Sequence, residues 1–155
     1  VFDLGCGSGI GAILAARRGA RVVAVDVNPH AVEAAINNAA RNGMSGRVEV
    51  RQGDLFDPVG EDRFDVILFN PPYFDGEPRN WAESAWRASG LRERFVAQLR
   101  DHLTTRGYVL LVLSSHGESE LWLKDLAASG FSIERLLRRT FPEEALEGFR
   151  VCPNA

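Results

Sequence analysis

Val1-Phe2-Asp3-Leu4-Gly5-Cys6-Gly7-Ser8-Gly9, continued by Ile10-Gly11-Ala12-Ile13-Leu14, sets the architecture of the chain. Residues 1–5 make a short apolar strand, residues 10–18 carry the apolar spacing of a packed helix, and a glycine turn joins the two. Glycines in such a turn let the backbone pass close to a ligand, and the start of the helix offers free N–H groups beside them. A polar or anionic ligand is expected there, the plain alternative being a tight βα turn that binds nothing. Residues 20–25 are apolar and β-branched and end in Asp26, which lies 26 − 5 = 21 positions beyond Gly5. An acidic residue about 20 positions on, at the end of the second strand, is where nucleotide-binding βαβ units hold a ribose diol. The expected class is therefore α/β, with a doubly wound sheet.

After Asp26, Asn28-Pro29 opens a helix that runs to about Arg41 and is closed by Gly43. Residues 47–52 alternate as a third strand, followed by Gly53-Asp54-Leu55 at its carboxyl end. Asp54 reads either as a ligand contact or as a turn residue, since Gly-Asp is common in loops.

Residues 64–69 form a fourth, buried strand that stops at Asn70-Pro71-Pro72-Tyr73-Phe74. Two prolines supply no N–H to a sheet ladder, and Pro71 pushes Asn70 towards an extended conformation. The turn thus holds an amide oxygen, a free proline carbonyl and an aromatic ring at a strand's C-terminal end, where open α/β sheets place ligands. Two acceptors beside a ring suit a planar NH2 group, as in an amide or an amino-base. The plain alternative is a simple turn in which Tyr73 packs.

Residues 75–90 carry Arg79, Trp81, Trp86 and Arg87 and read either as a lid or binding loop or as a short helix with Trp81 and Ala85 on a packed face. The spacing of Leu91, Phe95, Leu99 and His102 or Leu103 predicts a helix over 91–103, ended by Gly107, with Phe95 in the core. Strands are expected over 108–113, 131–139 and 149–152, with a helix over 118–129 and a short acidic connection between the last two strands. His116 falls in a ligand-side loop and reads as a bystander.

A chain of 155 residues, 45% hydrophobic and 25% charged, fits one globular domain with a substantial core. A net charge of −3 argues against a surface dedicated to nucleic acid. Cys6 and Cys152 stand near opposite ends without CxxC spacing, and three scattered histidines form no ligand cluster. Reduced thiols, no metal, no membrane segment and a cytoplasmic setting are expected. Because residue 1 already reads as strand, an N-terminal region is expected upstream of it.

Over nearly its whole length the chain resembles class I S-adenosylmethionine-dependent methyltransferases. Asp3-Leu4-Gly5-Cys6-Gly7-Ser8-Gly9 is similar to their D-x-G-x-G-x-G motif, Asp26 matches their acidic ribose ligand, and Asn70-Pro71-Pro72-Tyr73 matches the motif of enzymes that methylate planar nitrogens. The G-x-G-x-x-G/A pattern of nicotinamide enzymes fits less well: Gly7-Ser8-Gly9-Ile10-Gly11-Ala12 starts late in the turn and ignores Asp3. A silent binding module is a third class, disfavoured by intact Asp3, Gly5, Gly7, Asp26 and Asn70.

The resemblance implies a Rossmann-like, seven-stranded, mostly parallel sheet with an antiparallel last strand, spanning residues 1–155 as one catalytic domain. It implies S-adenosylmethionine as cofactor, bound by Asp3, Gly5, Cys6, Gly7, Gly9, Asp26, Asp54, Leu55 and Asn70. Within that set Asp54 would accept from the adenine amino group. Asn70, Pro71, Pro72 and Tyr73 would be the catalytic set. Leu113-Ser114-Ser115 and Ser129-Gly130-Phe131 look most like the HemK/PrmC-like branch, whose acceptor is a glutamine side chain in a protein partner such as a translation factor. Phe74 departs from that branch's usual Val or Ile, and an amino-base of RNA or DNA is the alternative acceptor.

Overall fold

In the computed structural model, which describes residues 1–154, the apolar runs assemble into one seven-stranded sheet of order β3-β2-β1-β4-β5-β7-β6. The strands are β1 (Phe2–Leu4), β2 (Val22–Asp26), β3 (Val48–Gln52), β4 (Phe64–Phe69), β5 (Leu103–Ser114), β6 (Phe131–Thr140) and β7 (Ala145–Pro153). The helices are α1 (Ile10–Arg17), α2 (Pro29–Arg41), α3 (Leu91–Leu99) and α4 (Ser119–Ala128). β1 to β5 run parallel, whereas β7 lies antiparallel to both β5 and β6. This is the Rossmann-like doubly wound sheet expected from the sequence.

Parallel strands must be covered on both faces, and two apolar clusters do so. On one face Phe2, Leu4, Ile67, Phe69, Val109 and Leu111 pack against Phe95 and Leu99 of α3 and Trp122 and Leu126 of α4. Phe95 is fully buried, its ring 4.7 Å from Phe69 and 5.8 Å from Phe56, so the helix residue is core as its spacing predicts. On the other face Val22, Ala24 and Val48 meet Ala12, Ile13, Ala16, Ala35 and Ala39, small residues that let α1 and α2 lie close to the sheet. α2 starts as the sequence signals: the Asn28 side chain accepts the His30 N–H at 2.9 Å, and Pro29 occupies the first turn.

Three boundaries differ from the sequence reading. The helix expected over 91–103 ends at Leu99; residues 100–102 form a single 3-10 turn, and Leu103 already pairs with Phe64 as the first residue of β5. Leu99 and Leu103 are both buried four positions apart, which imitates helical spacing although one belongs to the helix and the other to a strand. His102 turns into the core, stacked 4.1 Å from the Phe56 ring, with its two ring nitrogens 2.9 Å from the carbonyl oxygens of Gln98 and Gly60. Gly107 does not end a helix; it lies inside β5 beside a register shift, where a Cβ would come within 2.6 Å of the Phe64 carbonyl oxygen. β7 begins at Ala145, earlier than the expected 149, because Leu146 and Glu147 extend the ladder to Ser114 and Leu113. The acidic connection is thereby reduced to residues 141–144.

No helix among the described residues is long and apolar enough to cross a membrane.

Candidate active site

The strand order reverses between β1 and β4, and an open α/β sheet has its crevice at such a point, beyond the carboxyl ends of the strands. A cleft of about 780 Å³ opens there. Its floor comes from four strand ends: Leu4, Gly5 and Gly7 after β1, Asp26 at the end of β2, Gly53, Asp54 and Leu55 after β3, and Asn70 with Pro72 after β4. The volume suits a ligand of nucleoside size, and the wall mixes apolar surface with a few carboxylate and amide groups.

Asp26 is the polar centre of the cleft. One carboxylate oxygen accepts the Gly7 N–H and the other the Asn28 N–H, each at 2.9 Å. Both oxygens retain a lone pair, so the carboxylate can still accept a diol. A Cβ at Gly7 would meet nothing within 4 Å, so the backbone beside Asp26 borders open space. These features fit an adenosine-like group held by its ribose.

Asp3, Cys6 and Gly9 stand behind the wall rather than in it. Gly9 at the head of α1 has no side chain to cap that helix, and Asp3 does so from β1, accepting the Ala12 N–H at 2.7 Å. Burial pushes the Asp3 carboxyl up to about 6; the Ala12 N–H opposes this and the nearby Asp26 charge adds to it. Burial likewise pushes the Cys6 thiol up to about 12, with Asp26 and Asp3 adding to it, which keeps it a protonated core group rather than a nucleophile.

The Asp3 shift has a sign that can be measured. Between the ordinary value of 3.8 and about 6, the folded protein keeps a proton that the unfolded chain releases. Stability conferred by that proton is fully present below 3.8 and is lost as pH rises through about 6. Asp3→Asn is expected to flatten this part of the melting-temperature profile by several degrees, at roughly 3 °C per kcal/mol for a chain of this size. Thermal melts at half-unit steps from pH 4 to 8 check it; an unchanged slope in the variant would remove Asp3 as its source.

At the other end of the cleft Asn70 is exposed and lines it with Pro72, whereas fully buried Pro71 and half-buried Tyr73 lie outside the lining. The Tyr73 backbone lies so close to Gly117 that a Cβ there would come within 2.6 Å of its carbonyl oxygen. Burial raises the Tyr73 hydroxyl above its ordinary range, a hydrogen bond from the Asn70 side chain lowers it, and the Glu144 charge raises it. Residues 141–144 are tied to the end of β5: Ser114 donates its hydroxyl to Glu144, Ala145 N–H donates to the Ser115 hydroxyl, and His116 bonds the Glu143 carbonyl. His116 therefore fastens a loop.

Residues 75–90 form an irregular loop along the cleft and not a packed helix. Only Glu83–Ala85 form a 3-10 turn, Trp81 and Ala85 are exposed, and Pro78, Arg79, Trp81, Ser84 and Arg87 line the cleft. Phe74 and Ala88 anchor the loop: Phe74 N–H donates to Trp86 O at 2.9 Å and Ala88 N–H to Phe74 O at 3.1 Å. The sequence did not single out Arg94, which reaches the cleft from α3 and pairs with Asp54. Forty positions separate those partners, so no local pattern announces them.

Comparison with known proteins bears on this geometry. The family model described as "Methyltransferase small domain" matches residues 1–134. The ribosomal RNA small subunit methyltransferase C of Alcanivorax borkumensis is 34% identical over 81% of this chain and 35% of its own length. A Methanocaldococcus jannaschii protein provisionally named as a protein N5-glutamine methyltransferase is 35% identical over 94% of this chain and 77% of its own. The crystal structure of a ribosomal protein L11 methylase from Lactobacillus delbrueckii subsp. bulgaricus superposes with a TM-score of 0.75 at 26% identity, over 99% of this chain and 69% of that one. The chain thus spans about a third of the first relative and three quarters of the second.

Proposed function

We propose, for a chain that belongs to the methyltransferase small domain family, that it transfers a methyl group from S-adenosylmethionine to the planar side-chain nitrogen of a glutamine in a protein partner. Membership of that family implies S-adenosylmethionine as cofactor. The observation that carries the acceptor chemistry is Asn70, exposed in the cleft wall at the end of β4 and three residues before half-buried Tyr73.

When bound, the cofactor supplies a methyl group on a positively charged sulfur. Asp26 would hold the ribose diol, Gly5 and Gly7 would admit the ligand close to the backbone, and Asp54 with Leu55 would meet the base. The Asn70 amide would turn its side-chain oxygen to an incoming N–H. That oxygen would accept one hydrogen of the acceptor NH2, and the Pro71 carbonyl the other once docking uncovers it, because Pro71 is fully buried and does not line the cleft. Orienting the nitrogen this way favours its pyramidalisation and aims its lone pair along the line of transfer. Once alkylated, the nitrogen is acidic enough to lose its proton to water, so no general base has to stand beside Asn70.

Two features support a protein acceptor over nucleic acid. A relative that matches 94% of this chain and 77% of its own length carries the glutamine name. Glu144, whose charge reaches the Tyr73 hydroxyl, would also repel a phosphate backbone there. The competing amino-base acceptor draws on the ribosomal RNA relative and on exposed Trp86 and Phe74 beside Arg87.

The test is to incubate the protein with methyl-labelled donor and a cell extract split into protein, RNA and DNA fractions. Label is expected in protein, at glutamine, and insensitive to salt. Label in a nucleic-acid fraction that falls steeply with ionic strength would replace the acceptor while leaving the methyltransferase reading in place.

A further inference from the structure

Asp54 occupies a turn that is built tightly. A Cβ at Gly53 would come within 2.2 Å of the Pro58 ring, so that position admits only glycine while the backbone stays where it is. Leu55 follows with φ +46, the one non-glycine residue with positive φ among those described, and its side chain is buried. Strain of this kind persists where surrounding packing holds a neighbour in one orientation, and it gathers at ligand sites. Asp54 between them has one side-chain partner. Arg94, on the first turns of α3, donates from its guanidinium to Asp54 Oδ2, and no described residue donates to Oδ1. Both side chains line the cleft and are nearly half exposed. An ion pair this exposed adds little to stability, so a stabilising role does not account for it.

We propose that Arg94 is a positioning residue: it holds Asp54 Oδ2 so that Oδ1 is presented to the 6-amino group of the cofactor's purine, making the cleft select a 6-amino over a 6-oxo purine. This rests on the reading of the cleft as an S-adenosylmethionine site. The chemistry is one-sided. A fixed carboxylate oxygen accepts from an amino group and repels a carbonyl oxygen, whereas a carboxylate free to rotate can turn away from either. Because Arg94 bonds the far oxygen, it fixes the carboxylate without taking the acceptor's place.

The experiment is calorimetric titration with S-adenosylhomocysteine and with its deaminated, hypoxanthine-bearing analogue, so that no turnover is needed. The wild type is expected to prefer the adenine form. Arg94→Met should weaken adenine binding about tenfold, the scale of one charge-assisted hydrogen bond, and leave the analogue within about twofold. Arg94→Lys, which keeps a donor and a charge, should restore most of the preference. A merely structural Arg94 would weaken both ligands equally in the Met variant and lower its melting temperature, and that outcome overturns the proposal. So would tighter adenine binding in Arg94→Met, which would make Arg94 a competitor for Asp54. A wild type that binds neither ligand would instead overturn the cofactor reading itself.

Discussion

Asn70→Ala is expected to cut methyl transfer by on the order of 100-fold while leaving affinity for S-adenosylhomocysteine within about twofold, because it misplaces the reacting nitrogen without touching the ribose end of the cleft. Truncation removes one of the two acceptors proposed for the planar NH2, leaving only the Pro71 carbonyl. A nitrogen held by one hydrogen bond rotates, and its lone pair leaves the line of transfer. The backbone should not follow. Pro71 is fully buried and its φ is fixed by its own ring, and the Tyr73 backbone is wedged against Gly117. Single-turnover rates with saturating cofactor, set beside calorimetric affinities, separate the two quantities. If affinity and rate fall together, Asn70 is holding the cleft in shape and not the acceptor.

Much of the cleft could be read from the chain because its contributions are short segments at strand ends. Each of Gly5-Cys6-Gly7, Asp26, Gly53-Asp54-Leu55 and Asn70-Pro71-Pro72 follows an apolar run whose termination is visible in the residues themselves. A parallel sheet then brings all four ends to one edge, so reading the strands amounts to locating the site. Asp3 and Cys6 show the limit of that approach. Both belong to the glycine motif, yet alternation along β1 and the turn directs Asp3 under α1 and the Cys6 thiol into the core, away from the cleft.

What could not be read depends on contacts between distant segments. Leu99 and Leu103 keep helical spacing although the chain has changed from helix to strand, because both face the same core from different elements. Residues 75–90 have neither period, and their placement across the cleft follows from tertiary anchors at Phe74 and Ala88. The pairing of Arg94 with Asp54 is of the same kind. Residues 141–144 lie against the end of β5 only because Ser114, Ser115 and His116 fasten them there.

Asp26→Ala should weaken S-adenosylhomocysteine by roughly 100-fold, since each hydrogen bond to a charged group is worth about 1.5 to 3 kcal/mol and a diol can make two. Part of the loss comes from the protein. Asp26 also accepts the N–H groups of Gly7 and Asn28, and so ties the glycine turn to the start of α2. Removing the carboxylate frees both donors, and the turn loses the arrangement that a bound ribose would find ready. Those N–H groups lie at a partly open cleft where water can reach them, so the fold should tolerate the change: a melting temperature within a few degrees of wild type is expected. Asp26→Asn isolates the charge, because its amide oxygen can keep one of the two backbone bonds; its affinity should fall between those of the wild type and Asp26→Ala. The transfer rate at saturating cofactor should drop far less than in Asn70→Ala, since the acceptor end is untouched. Calorimetry and saturating single-turnover rates on the three proteins decide it, and a cofactor affinity unchanged in Asp26→Ala would place the ribose elsewhere.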